Sequence, residues 1–290
     1  LLWTAAGLAT AACLVLAAVI GIGPFDLGLA TDPGPIAFVE TLTGPDSALL
    51  VDVDGSTRPI EVGDDLHLRD ELATAGDGRA AVRLASGHSV RLDRSSAIRW
   101  EDRNALRILR GAVYVDSGSD GRVMDPIEVR GPLASIREIG TQFEVRLPDV
   151  DSIVVRLREG AAVVEGEHGT RQIAAGTELT VLADGSSTVR SIESGGPAWD
   201  WILDVTPMAD FEGRSARAFL EWISRERGWT LAFEEPEAAR SAEAIVLGGT
   251  IGQMDLEQAL EAVMATCRMT YRIERGVLVV NTSPEAPQPR

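Results

Sequence analysis

The chain has 290 residues, 45% hydrophobic, 5% aromatic and 24% charged, a globular composition long enough for about two domains. Its 27 cations are all arginine against 44 acids, a formal net charge of −17, and no basic run is present to displace counterions from nucleic-acid phosphates. Without lysine there is neither a P-loop lysine nor a Schiff-base lysine, and two cysteines, Cys13 and Cys267, exclude a disulfide framework and a cysteine zinc cluster.

Residues 1–25 carry no charged side chain. A helix rises ~1.5 Å per residue and ~20 apolar residues cross the hydrocarbon core, so this run predicts a single transmembrane helix. Pro24 ends it and Trp3 suits an interface. A secretory signal peptide is the competing reading, with an apolar region of about 7–15 residues and a small-x-small cleavage site. The sequence starts at Leu1 rather than Met and reads as a fragment. Downstream, Asp26, Asp32 and Glu40 precede the first arginine, Arg58, which permits export of everything after the helix.

Residues 26–35 are Gly/Pro/Asp-rich and read as a linker. Residues 36–183 alternate short apolar runs with turn signals such as Ser86-Gly87, Arg110-Gly111, Gly131-Pro132 and Glu159-Gly160. Short strands at about 8–12-residue spacing predict an all-β domain. One echo stands out: Arg110-Gly111-Ala112-Val113-Tyr114-Val115 against Glu159-Gly160-Ala161-Ala162-Val163-Val164. It is either a coiling unit of a β-solenoid or glycine's ordinary preference for turns.

Residues 184–206 are polar and Gly/Ser-rich, an inter-domain connection that Trp199 and Trp201 pin to a domain. From Pro207 the period becomes helical. Ser215 caps a helix with Ala216, Phe219, Leu220 and Ile223 on one face and Gly228 as its stop. A strand follows at Trp229–Phe233 and another near Ile245-Val246-Leu247. Asp255 with Gln258 forms a capping-box signature for a second helix, whose apolar stripe ends at Cys267. Two further strands, Met269–Ile273 and Val277–Val280, make a hairpin. Residues 207–281 are therefore a small α+β domain, and 282–290, with three prolines, a disordered tail.

Residues 74–183 resemble the FecR domain of bacterial iron-responsive transmembrane signal regulators. The resemblance is carried by Arg83-Leu84-Ala85-Ser86-Gly87, Val90-Arg91-Leu92, Leu109-Arg110-Gly111-Ala112-Val113-Tyr114-Val115, Pro126-Ile127-Glu128-Val129, Ile139-Gly140-Thr141-Gln142-Phe143-Glu144-Val145 and Arg158-Glu159-Gly160-Ala161. Within it Gly111, Gly140, Thr141, Phe143 and Gly160 are the family-motif positions. Residues 207–281 look like the short N-terminal domain of secretins and TonB-dependent transducers. The resemblance implies a mainly β, solenoid-like FecR domain and a βαβ-type module, held in the periplasm by one inner-membrane helix. It further implies a signal from an outer-membrane transporter, passed to an extracytoplasmic-function sigma factor as an anti-sigma factor does. The sequence departs from the family at Asp125-Pro126-Ile127, where Arg-Pro-Phe is usual, and in an extra β segment over residues 36–73. The family's cytoplasmic sigma-binding helices are absent from it.

Nothing in the sequence points to catalysis, a cofactor or a metal. His67, His88 and His168 lie on turn-like segments without ligand spacing and read as surface histidines. No Gly-x-Ser-x-Gly elbow occurs. Gly76-x-Gly78 lacks a following helix, Glu234, Glu235 and Glu237 read as a solvated turn, and Cys267 as a buried thiol. The expected chemistry is protein contact: an edge strand, Ile245–Leu247 or Val277–Val280 (Ile245, Val246, Leu247, Val277, Leu278, Val279), accepts a partner's strand. A membrane-anchored scaffold or glycan-binding module without transcriptional output is the alternative.

Overall fold

The computed structural model describes residues 34–283 apart from 45, 53–54, 119–124 and 250–253. The expected membrane helix at 1–25, nearly all of the 26–35 linker and the tail from 284 lie outside the described residues. Among the described residues no helix is long and apolar enough to cross a membrane.

Strands come first, and the fold is mainly β. β1 (Ala37–Leu42), β2 (Ala48–Val51), β3 (Thr57–Pro59), β4 (Asp65–Leu66), β5 (Glu71–Thr74), β6 (Ala80–Leu84), β7 (Ser89–Leu92), β8 (Ala97–Asp102), β9 (Ala105–Asp116), β10 (Glu128–Arg130), β11 (Ala134–Asp149), β12 (Ser152–Gly166), β13 (Gly169–Ala174), β14 (Thr177–Leu182) and β15 (Ser187–Ser191) form one sheet. Its main path is β15-β14-β12-β11-β10-β9-β7-β6-β1-β4. The segment before the best-matching residues is part of it, since β1 pairs β6 and β5 pairs β8. Among the described residues every pairing in this sheet is antiparallel except β9 with β10, so the register does not show the parallel rungs of a coil.

The glycine echo has a different origin. β9 pairs β8 up to Arg110 and β7 from Val113. β12 pairs β14 up to Leu157 and β13 from Ala161. β11 likewise leaves β10 at Arg137 and meets β9 from Gln142. Gly111, Gly160 and Gly140 sit at these changes of partner, with φ of 76°, 76° and 61°. The strands change partners there, and their inward side chains gather into one buried cluster. Val82, Val90, Val115, Phe143 and Leu157 fall in register across five strands and are all fully buried. Each such side chain contributes ~1.5–3 kcal/mol by leaving water.

The residues expected as a connection are instead structured. They hold β15 and a short helix, α1 (Asp200–Leu203), with Trp199 and Trp201 buried against Ala112 and Tyr114. Next come α2 (Ala216–Arg227), β16 (Thr230–Phe233), α3 (Pro236–Ala244), α4 (Leu256–Thr266), β17 (Met269–Glu274) and β18 (Val277–Thr282). Ser215 Oγ accepts from the Ala218 N–H at 3.2 Å, and Asp255 accepts from Gln258 N–H at 2.8 Å while the Gln258 side chain returns to the Asp255 N–H. Both caps satisfy helix N–H groups that have no partner inside the helix. α2 and α4 pack on one face of a three-stranded sheet ordered β16-β18-β17, burying Phe219, Leu220, Ile223, Leu260, Val263, Leu278 and Val280.

Two expectations about this module need correction. Val277, Leu278 and Val279 lie on the central strand, paired by β16 on one side and β17 on the other, so they offer no free edge. Ile245–Leu247 is no sheet strand: it makes a single bridge, Val246 with Ser215, and its backbone is taken up by residues 213–216. Among the described residues the edge strands are β16 and β17. α3 occupies part of the stretch read as a solvated turn, with Glu235 as N-cap and Pro236 in the first turn, where its missing N–H costs nothing.

Candidate interaction site

In strands that alternate strictly, one set of side chains faces the core and the other faces outward. The outward set of the FecR-like strands is polar. A single row of cross-strand partners crosses six strands: Arg91, Tyr114, Glu144, Arg156, Glu178 and Arg190, on β7, β9, β11, β12, β14 and β15. Charges alternate along it. Arg156 bridges Glu144 at 2.8 Å and Glu178 at 2.6 Å, Arg190 meets Glu178 at 2.5 Å, and Arg146 adds a contact to Glu144 at 2.7 Å. Burial pushes the Glu178 carboxyl up, but Arg190 and Arg156 outweigh it and hold its pKa below the usual carboxylate value.

Half of this face is covered. α1 roofs Ala112 and Tyr114, and the Trp201 indole N–H donates to Glu144 at 3.2 Å. Beside it the last turn of α2 reaches the sheet. Arg91, 1% exposed, donates from Nη1 and Nη2 to the two carboxylate oxygens of Glu226 at 2.8 and 2.9 Å, across 135 residues of sequence. Burial would lower the Arg91 pKa, yet the charge and hydrogen bonds of Glu226 raise it, so the guanidinium stays charged. Arg225 donates to Asp116 at 2.6 Å and pairs with Glu159, and Gln142 donates to the other Asp116 oxygen at 2.9 Å. Burial pushes the Asp116 carboxyl up; Arg225 outweighs it and the pKa falls below the ordinary value. Tyr114, with its pKa raised by burial, stays a neutral phenol under the Arg91 guanidinium.

The family-motif residues support this face rather than forming its surface. A Cβ on Gly160 would sit 2.1 Å from the Gly140 carbonyl oxygen, and one on Gly111 would sit 2.6 Å from Ser96 Cα. Thr141 N–H donates to Ser117 Oγ at 2.8 Å and its carbonyl accepts the Ser117 N–H at 3.1 Å. Phe143 points to the opposite side, into the core between Val115 and Leu157. The structure thus brings Gly140, Thr141 and Gly160 to one crossing and places Gly111 at another. Val246 is 65% exposed. Arg91, Asp116, Glu144, Arg225 and Glu226 were not singled out by sequence reasoning as a site; the alternation around Val90-Arg91-Leu92 gave the facing of Arg91 but not its cover.

His88 corrects the surface reading. It is fully buried, with Nε2 2.5 Å from Glu138 of β11 and Nδ1 2.9 Å from Ser86 Oγ. His168 is exposed and His67 half-buried. Cys267 is buried and burial raises its thiol pKa, which keeps it protonated. Among the described residues no group of three His, Cys, Asp or Glu side chains could hold a metal ion.

The site is a mainly antiparallel sheet with a charged outer face and a docked α+β module. Comparison with known proteins adds the family. Residues 70–163 match the family described as FecR protein. No curated protein matches the chain. Two crystal structures, at 2.50 and 1.65 Å resolution, of a candidate anti-sigma factor from Parabacteroides distasonis ATCC 8503 share 16% identity with it, cover 74% of this chain and 99% of their own, and give a TM-score of 0.40. A likeness that low adds nothing to the assignment.

Proposed function

We propose that this protein is an inner-membrane, FecR-type regulator of the anti-sigma class. In this reading residues 1–25 anchor it, residues 36–281 stand in the periplasm, and the signal is the state of an outer-membrane transporter of the TonB-dependent type. The output is an extracytoplasmic-function sigma factor, reached through protein contacts and without enzymatic chemistry. The match of residues 70–163 to the FecR family is the observation that carries the reading. The α+β module supports it physically. Among the described residues β16 and β17 are the two edge strands of a small sheet, and such an edge accepts a strand from a partner.

The test is cross-linking of the intact protein in its own cells, followed by affinity purification and mass spectrometry. Recovery of a sigma factor together with an outer-membrane transducer is the expected result. Recovery of envelope structural proteins or glycan alone, with the sigma factor present in the lysate, makes the protein a scaffold instead.

A further inference from the structure

Among the described residues the two large hydrophobic clusters, one inside the FecR-like sheet and one inside the C-terminal module, share no residue, and Leu203 at the end of α1 is the apolar side chain that packs against both the C-terminal cluster and the Trp199, Trp201 and Ile202 cluster. What crosses between them at the end of α2 is ionic: Arg91 with Glu226, and Arg225 with Asp116 and Glu159. A neutral contact lies beside them, where the Ser194 hydroxyl donates to the Gly228 carbonyl at 3.0 Å. Several buried polar atoms along this seam have no partner, among them Arg91 Nε, Arg225 Nε, Arg158 Nη1 and the Tyr114 hydroxyl. Separated charges regain their full hydration, and a buried ion pair gains little over that hydration in the first place. Unpartnered donors regain water as well. Opening along the seam is therefore far cheaper than unfolding either cluster.

We propose that the last turn of α2 is an ionic latch, along which the C-terminal module undocks from the outer face of the FecR-like sheet as a folded body. Trp199, Trp201 and Ile202 stay with the sheet, because they pack on Ala112 and Tyr114. The hinge is the irregular chain that follows α1, residues 206–207, before Met208 and Ala209 pack against the C-terminal cluster, and Thr206 Oγ1, which accepts from Arg91 Nη1 at 2.9 Å, opens with the latch. The undocked state uncovers Arg91 and Asp116 on one side and Arg225 and Glu226 on the other. Any partner that binds one state of the module in preference to the other shifts the latch by its difference in affinity. The latch is a property of the fold and stands whether or not the protein contacts a sigma factor.

Thiol labelling of the intact protein tests it. Ser89 is buried beside Asp116 in the sheet register, on the same face as Arg91, and its hydroxyl has no partner, so Ser89→Cys adds a thiol at the seam without losing a hydrogen bond. Cys267, inside the C-terminal cluster, is the internal control, and peptide mapping separates the sites. The expected result is labelling at position 89 at least tenfold faster than at Cys267. Glu226→Gln should accelerate position 89 by about 100-fold, because it strands Arg91, and leave Cys267 unchanged. Equal rates at the two thiols, equal acceleration of both, or no response at position 89 overturn the proposal. The paired variant Arg91→Met/Glu226→Leu keeps the burial and removes the charge; it should slow labelling at position 89 at least tenfold, and an unchanged rate is again a refutation.

Discussion

Gly160 and Gly140 meet at one crossing of the sheet, yet their tolerance of a side chain differs. Both adopt positive φ, but only Gly160 faces backbone that cannot yield, since its added Cβ would lie 2.1 Å from the Gly140 carbonyl oxygen while Gly140 itself opens onto free space. Gly140→Ala should therefore cost about 1 kcal/mol, the conformational penalty alone, and Gly160→Ala about 3 kcal/mol or more once the strand shifts. Thermal midpoints of the two variants, compared with the parent, check this; equal shifts would remove the steric part of the argument. Asp116 makes a prediction about acid. Its carboxyl titrates lower in the fold than in the unfolded chain, so its contribution is complete above the unfolded value of about 3.9 and is lost as pH falls through the folded value. The stability of the parent protein should stay level from pH 7 to about 5 on this account and drop below about pH 4. Asp116→Asn should be less stable at pH 7 and show a shallower acid loss. A fall already present at pH 6 would assign the sensitivity to another group.

The cross-strand row of alternating charges separates buried from exposed partners along one line. Arg156 lies between Glu144, which is fully buried, and Glu178, whereas Arg190 at the sheet's edge is 66% exposed. Arg156→Met should cost about 3 kcal/mol by leaving Glu144 under-compensated, and Arg190→Ala should leave the thermal midpoint unmoved, because exposed pairs are screened. Equivalent losses from both would mean that the row acts through its exposed end. At this scale the sequence was legible where a signal is local. Ser215, Gly228, Asp255 and Gln258 announce the ends of α2 and α4, and alternation marks the strands around Arg91 and Ile153. α3 escaped because its nine residues are mostly alanine and charge, with no apolar stripe beyond Ala238 and Ala242. The edge assignment failed for Val277–Val279 because strand order is set by packing partners far away in the chain. The burial of Arg91 was illegible for the same reason: alternation sorts core from outside, and it is Ile202, Thr206 and Glu226, more than 110 residues on, that cover this outside.

For the molecule as a whole, the FecR-like sheet and the C-terminal module are two apolar bodies joined mostly by charge, with Leu203 as an apolar bridge beside the ion pairs. The family-motif glycines sit where strands change partners, the sheet presents its polar face, and the end of α2 reads that face through Arg91 and Asp116. The proposed function extends this chain of contacts through a membrane anchor to a sigma factor. The most direct measurement of that claim is the transcriptome of the native bacterium with the gene deleted, beside strains complemented with the intact protein and with the protein lacking residues 207–281. The account predicts that deletion changes one coherent set of genes sharing a sigma-type promoter, that the intact protein restores the set and its response to signal, and that the truncated protein fails to restore the response. Envelope defects with no coordinated promoter set, repaired equally well by both forms, would contradict it.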